Sequence, residues 1–560
     1  MSSEADKSAD DTNRWSVIPP AALVEMSVGA IYCYSMFQLP LSTLSGVVCP
    51  APDDFTTSEI IPVFSMAAGG LGLSSAALGS WVDKVGPVKA GTIGSLCWFS
   101  GLMTCAAASH LHSLPLLYLG YGGLGGAAWG LLYMTPVSAT MKWFPDRRGL
   151  ATGLTLSAFG AGAAIAPPLI DFFTTMHFVA PEFLGAASEV ALTTLPDGSQ
   201  SLTSDPSTKV VVATASDAAK VGLSEGVYKL GTGDSGATGA FASLACIYGG
   251  VSLACSQFMK APPPGWLPKG YEVDEDSTAG TKIGVPADIA VRTHQFPLLW
   301  MTIFGNAIGG LALISSSKMI MTDIWGANLP NVVTASFATG YVAALGSANS
   351  FGRLTWAIAS DKVGRKNAYS VFALGLPVMA GTPYLIKTAI ESGESSAVFP
   401  LGMFIGGSTF VIANYGGIFS ILPAYIADLY GSKYSNSIHG AALTAWSASA
   451  VCGPMGLALL RSRAEKNAIE DLVNNLGDGK FEEAFGASTD KMDSLIESKT
   501  LTISRLMEVS DPSTIDPTPT LYDDVFYAGA GFIAAAAIAN QLLKPPNVQQ
   551  LIEKSNKKKN

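Results

Sequence analysis

Apolar residues along this chain gather into long blocks separated by short polar connections, rather than alternating or recurring once per helical turn. A helix needs roughly 20 apolar residues to cross a hydrocarbon core of about 30 Å. Twelve blocks are long enough: 18–44, 58–81, 88–109, 114–138, 149–173, 239–259, 296–321, 332–359, 368–389, 398–422, 436–460 and 522–543. They fall into two groups of six. Between them lies a polar stretch, 260–295, whose proline-rich start and acidic YEVDEDS read as an extended linker. The pattern predicts an all-α membrane protein of twelve transmembrane helices in two pseudo-symmetric six-helix bundles, 18–259 and 296–543. Polar tails flank them at 1–17 and 544–560.

Two connections break the rhythm. Residues 174–238 and 461–521 join spans 5 to 6 and 11 to 12, equivalent places in the two halves, and both are far longer than an ordinary loop. The first contains the apolar patch VVVATA, which suggests a small strand pair; the second has helix-like stretches at 463–476 and 488–508. They are either tolerated surface insertions or an external cap.

Composition agrees with the pattern. Of the 560 residues, 49% are hydrophobic and 14% charged, and 59 are glycine, as expected where helices approach closely inside a membrane. The net charge of −10 sits mostly in loops and tails, so it says little about partners and gives no reason to expect nucleic acid. Six of the seven cysteines lie in apolar blocks, which leaves no disulfide framework or metal-ligand spacing. The polar N-terminal stretch has no apolar h-region, so no cleavable signal peptide is expected.

Charge also orients the spans. The connections after spans 2, 4 and 8 carry Lys84 and Lys89, then Lys142, Arg147 and Arg148, then Lys362, Arg365 and Lys366; those after spans 1, 3, 7 and 9 carry no lysine or arginine. The positive-inside rule then puts both termini in the cytoplasm. The membrane itself is not specified: the plasma membrane is the default and an organellar one is compatible.

The two halves share a turn. Gly79-Ser80-Trp81-Val82-Asp83-Lys84-Val85-Gly86 is echoed by Ala359-Ser360-Asp361-Lys362-Val363-Gly364-Arg365-Lys366, each between the second and third span of its half. Gly86 and Gly364 suit a tight reversal. An acidic helix end followed by cations on the cytoplasmic surface reads as a gate that clips the halves together and must open during transport.

Charge inside a span is costly and marks function or deliberate pairing. Arg353 of span 8 lies about 12 Å from the cytoplasmic end at 1.5 Å per residue, close to the midplane. The same arithmetic puts Tyr32, Tyr133, Asn306, Tyr415 and Trp446 in its layer. A guanidinium ringed by aromatic groups and hydroxyls suits a small carboxylate, which it can grip bidentately. The rival reading pairs Arg353 with backbone carbonyls or with Glu25 as a helix-joining device. Glu25 and His439 are the candidate proton-coupling groups. No phosphate-binding glycine loop or nucleophile–base constellation appears, so an enzyme is not expected, no cofactor is implied, and energy must come from gradients or exchange.

The paired turns resemble the signature of the major facilitator superfamily, keeping Gly79, Asp83, Lys84 and Gly86 in one copy and Asp361, Lys362, Gly364, Arg365 and Lys366 in the other. Within it the chain resembles the oxalate:formate antiporter family, through stretches 29–41, 142–154, 262–268, 349–353, 414–433 and 439–456. The resemblance implies that Arg353, Tyr32, Gln38, Tyr133, Tyr415 and Phe419 surround the substrate. It also implies a lysine in span 11, where this sequence has Trp446. Two cations suit a dianion; one arginine beside an indole suits a monoanion. The expectation is therefore a monomeric carrier in the lipid bilayer for a monocarboxylate of the pyruvate, lactate or formate type, working by alternating access with proton coupling or exchange. Oxalate:formate antiport is the first alternative, and a non-transporting nutrient sensor on the same fold is the second.

Overall fold

The computed structural model describes residues 14–144, 148–195, 199–263, 266, 268, 284–392, 394–431, 435–547 and 550–551. Twelve long helical segments cross the body: 14–42, 57–85, 87–110, 114–143, 148–177, 237–256, 295–315, 335–363, 365–392, 394–430, 435–476 and 523–542. They are called spans 1 to 12. Among the described residues nine are long and apolar enough to cross a membrane by composition alone; spans 4 and 8 are diluted by glycine and other weakly apolar residues and, in span 8, by Arg353. Large apolar side chains such as Leu73, Phe172, Phe399 and Ile538 face outward, as lipid-contacting residues must. The face bearing the Gly86 and Gly364 turns is called inner, the opposite one outer.

Pseudo-symmetry is visible in local chemistry. Span 2 (Thr57–Val85) and span 8 (Ala335–Val363) both have 29 residues and both follow a threonine cap. Each ends on a glycine at positive φ, Gly86 at 83° and Gly364 at 87°, which serves at once as the end of one helix and the start of the next. A side chain there would be strained, so these positions need glycine.

Spans 1 and 7 are broken, and again equivalently. Ala30–Phe37 winds as a tighter 3-10 segment with Cys33 at φ −93°, ψ 21°, while span 7 breaks at Ser316 (φ −135°, ψ 20°) before continuing as Ser317–Trp325. Non-helical backbone at membrane depth leaves carbonyls and hydroxyls available, and discontinuous helices of this kind line carrier sites.

The outer connections are more elaborate than a strand pair. Residues 178–235 form a five-stranded antiparallel sheet and a short pair. The strands are β1 (Phe178–Val179), β2 (Phe183–Gly185), β3 (Leu192–Thr194), β4 (Gln200–Leu202), β5 (Lys209–Ala213), β6 (Gly226–Lys229) and β7 (Asp234–Ser235), in orders β2-β6-β5-β4-β3 and β1-β7. The VVVATA patch supplies β5, apolar on both faces because both are covered. Val211 and Ala213 pack with Val48, Cys49 and Ala51 of the span 1–2 loop, while Val210 and Val212 pack with Val227. Span 11 does not stop near residue 460 but continues to Leu476, 42 residues in all and about 63 Å long. It therefore absorbs the helix-like stretch 463–476 and rises well clear of the bilayer. Shorter helices follow at Asp478–Phe485, Met492–Glu497 and Ile503–Val509.

The two insertions meet. Thr194 donates to the carbonyl of Phe485 at 3.0 Å, Arg505 donates to Gln200 Oε1 at 3.4 Å, and Lys499 donates to the carbonyl of Asp54. These contacts join the two insertions and the span 1–2 loop into a cap over the outer face.

Candidate functional site

Glycine determines how closely the central helices approach. A Cβ on Gly352 would sit 2.0 Å from the carbonyl oxygen of Ala413, and one on Gly416 would sit 2.2 Å from that of Asn349. Spans 8 and 10 can therefore touch backbone to backbone, and this contact holds their neighbours, Arg353 and Tyr415, in one layer.

Arg353 is 7% exposed. Its Nε donates to Asn349 Oδ1 at 3.4 Å, one turn earlier, and its guanidinium carbon lies 5.4 Å from the Phe159 ring and 5.2 Å from that of Phe419. No carboxylate among the described residues lies within ion-pair distance; Glu25 is within Coulomb range, as are the hydroxyls of Tyr32, Tyr133 and Tyr415. Both Glu25 oxygens are buried without a hydrogen-bond partner among the described residues.

Around this charge the rings interlock across the two halves. Tyr32 and Tyr415 share a 2.8 Å hydrogen bond between their hydroxyls, and Trp446 Nε1 donates to Tyr415 at 2.9 Å. Tyr32 packs edge-on against Trp129 and Phe159, with centroids 5.5 and 5.1 Å away, and Trp446 lies 5.8 Å from Trp129 and 6.0 Å from Phe419. Of the residues expected in the layer, Arg353, Tyr32, Tyr133, Tyr415, Phe419 and Trp446 are brought together. Phe159, Trp129 and Asn349 complete it. Trp129 precedes Tyr133, and Asn349 precedes Arg353, by one helical turn, which is the signal that could have added them.

Three expected residues sit elsewhere. Gln38 lies toward the outer side, donating to the Ser315 carbonyl at 2.8 Å and to Ser316 Oγ at 3.1 Å across the break in span 7. Asn306 turns its amide back onto the Thr302 carbonyl of its own helix at 2.8 Å. His439 lies near the inner start of span 11, about 10 Å along the helix from Trp446.

The outer gate is closed. Besides Gln38, Ser35 and Ser317 approach to 3.1 Å, and Asp171 of span 5 pairs with Lys318 at 3.4 Å and accepts from Thr339 at 3.2 Å, so Lys318 is a cross-half contact. Beneath it lies a void of about 10 Å³ beside Tyr32 and Asn349, too small for a carboxylate. Arg365 donates to Ser360, and Lys366 caps span 12 through the carbonyls of Gln541 (2.8 Å) and Leu543 (2.9 Å), all within their own half. Lys84 and Lys362 are exposed, and the side chains of Asp83 and Asp361, with Gly79, lie outside the described residues.

The family model of the Major Facilitator Superfamily matches residues 26–454. The chain belongs to the major facilitator superfamily. Twelve helices in this arrangement are that superfamily's fold, and the protein is a multi-pass membrane transporter. It is 25% identical over 451 residues to the oxalate:formate antiporter of Oxalobacter formigenes, covering 79% of this chain and 83% of that protein. It is 23% identical over 387 residues to apicoplast pyruvate carrier 1 of Toxoplasma gondii, covering 65% and 62%. Among solved structures, a bacterial homolog of the human lysosomal transporter Spinster aligns with TM-score 0.57 at 14% identity, covering 97% of this chain and 98% of that one. A D-xylose-proton symporter aligns with TM-score 0.54 at 12% identity, covering 91% and 99%. These two share the superfamily fold, and the likeness extends no further.

Proposed function

We propose that this transporter moves small organic monoanions of the pyruvate, lactate or formate type by alternating access, with Arg353 as the counter-charge of the substrate carboxylate. The observation that carries the reading is Arg353 itself, buried at membrane depth with an amide oxygen, the Tyr133 hydroxyl and two aromatic faces for company and no carboxylate in pairing distance among the described residues. An unpaired buried cation costs several kcal/mol, about what a bound carboxylate returns. Tyr32, Tyr133 and Tyr415 supply hydroxyls, while Phe419 and Trp446 give an apolar wall fitted to one end of a monoanion. Gln38 and Asn306 enter this reading only once the helices rearrange, Gln38 as part of the outer gate.

Glu25, sealed from water with neither oxygen bonded and within Coulomb range of Arg353, is the group we assign to carry a coupling proton; His439 is the lesser candidate. The carrier works as a monomer, with the basic turns and both termini cytoplasmic, in the plasma membrane. Exchange of a dicarboxylate for formate is the second reading, supported by the similarity to the oxalate:formate antiporter and opposed by the indole of Trp446 at the aromatic wall.

Uptake of labelled pyruvate, lactate, formate and oxalate into proteoliposomes tests it. Monocarboxylates should be taken up in preference to oxalate, and Arg353→Ala should cut uptake by about a hundredfold, the loss expected from about 3 kcal/mol of charge-assisted binding. Uptake intact in Arg353→Ala would move the anion elsewhere; transport of none of them would favour a sensor.

A further inference from the structure

A large cavity lies not at Arg353 but above it, between the cap and the outer gate. It has a volume of about 640 Å³, and its floor includes Ser35 and Gln38, the residues that close the path to the central layer. Its walls come from both insertions, from the span 1–2 loop and from the outer ends of spans 7, 8 and 11. Anything reaching Arg353 from the outer side by way of Ser35 and Gln38 crosses this chamber first.

Cations outnumber carboxylates among the residues that line the chamber, although one of them, Lys318, is paired with Asp171 behind the wall. Six cations line it, Lys209, Lys220, Lys318, Arg461, Lys499 and Arg505, against four carboxylates, Asp217, Asp323, Glu465 and Asp516. The carboxylates are spoken for. Asp217 pairs with Lys220 at 3.3 Å, Asp323 and Glu465 both pair with Arg461, and Asp516 accepts the amide of Thr518 at 2.8 Å. Lys499 and Arg505 have no carboxylate within ion-pair distance among the described residues. Lys499 holds a main-chain carbonyl; Arg505 holds the Gln200 amide oxygen and lies 5.7 Å from the Phe485 ring. Burial pushes both groups below their usual basic range, and the carboxylates that act on them from beyond ion-pair distance, Asp54, Glu59 and Asp53 on Lys499 and Glu508 and Asp217 on Arg505, offset it only in part. A walled cavity with surplus cations concentrates anions.

We propose that the capped chamber is a second, outer anion site, in which Lys499 and Arg505 hold a small organic anion before the gate at Gln38 admits it to Arg353. The inference rests on the anion-carrier reading for the identity of its ligand, but its test does not depend on transport. The cap then has a purpose beyond tolerance: it converts an open funnel into a compartment that selects for charge.

The test uses the full chain in nanodiscs with Ser216→Cys and Cys49→Ser. Ser216 is exposed on the chamber wall, and Cys49 is the native thiol that lines it. Labelling rates are measured with an anionic sulfonatoethyl and a cationic trimethylammonioethyl methanethiosulfonate, each relative to its rate with a free thiol. The anionic reagent should be favoured about tenfold. Pyruvate should slow it, and Lys499→Gln with Arg505→Gln should bring the ratio close to one. A ratio unchanged by those substitutions overturns the proposal. So does an equal rise of both rates, which would make the two cations mere fasteners of the cap. A charge preference in a protein that moves no carboxylate would refute the proposed substrate and leave the chamber standing; pyruvate transport without the preference would do the reverse.

Discussion

Two buried arginines of the C-terminal half have opposite surroundings. Arg461, its side chain 11% exposed at the outer end of the lipid-spanning part of span 11, meets Asp323 at 3.1 Å and Glu465 at 2.9 Å and donates to the Tyr522 hydroxyl at 3.0 Å. That hydroxyl in turn donates to Asp323 at 2.7 Å, closing a ring of bonds among spans 7, 11 and 12. Arg353, as well buried, has one long bond to an asparagine oxygen, the Tyr133 hydroxyl and two ring faces. An arginine that serves to join helices is neutralised within its own half, as Arg461 is. The contrast weakens the helix-joining reading of Arg353 and leaves its charge for something that arrives and leaves.

The largest effect should come from breaking the paired arginine. Arg461→Met strands Asp323 in a site built for a cation and should cost about 3–5 kcal/mol, read as a lower melting temperature of the purified protein. Arg461→Met combined with Asp323→Leu should recover most of that loss, because both charges are then gone. In the same assay Arg353→Ala should lower the melting temperature by much less than Arg461→Met does, since no carboxylate in ion-pair distance among the described residues is stranded. Equal destabilisation by Arg353→Ala and Arg461→Met would erase the distinction.

The next test gives Arg353 what Arg461 already has. Asn349→Asp places a carboxylate where the Asn349 oxygen now lies, 3.4 Å from Nε. It should neutralise the guanidinium and weaken the substrate by about 2–3 kcal/mol, a rise in uptake KM of roughly 30- to 150-fold, with stability kept or improved. An unchanged KM would mean that the anion does not use this charge.

Arg353 was legible in the sequence because a lone charge in an apolar block is expensive and therefore conspicuous. Phe159 was not, because one aromatic among apolar residues carries no mark. Depth arithmetic put Asn306 in the layer but could not give the direction of its amide, which turns back on its own helix. Gln38 was expected around the substrate by resemblance; the breaks at Cys33 and Ser316 instead set it against the backbone of span 7. The spans themselves followed from hydropathy, yet span 11 was cut short because apolar residues end where lipid ends, whereas helix-forming residues continue to Leu476. Only β5 of the sheet announced itself. Strands β2, β3 and β4 of the same sheet are three residues long, too short for alternation to register, and exist through pairing, β3 with β4, β4 with β5 and β2 with the distant β6.

The smallest expected effect separates bonds that hold a half together from bonds that are made and broken between halves. Arg461's ring lies within one half, while Tyr32 and Tyr415 belong to different halves and meet at 2.8 Å. Alternating access requires the cross-half bond to part in at least one state. Tyr32→Phe removes it and leaves the Tyr415 oxygen accepting from Trp446 while the Tyr415 hydroxyl proton loses its acceptor. The loss should be about 1 kcal/mol, which shifts the closed-to-open ratio about fivefold toward open. Spin labels on the outer ends of the two halves should report that shift as a larger population at long distance, with uptake KM changed less than about threefold. A shift in KM without a shift in distances would make Tyr32 a substrate ligand alone and would return the closing of the layer to Gln38, Lys318 and the cap.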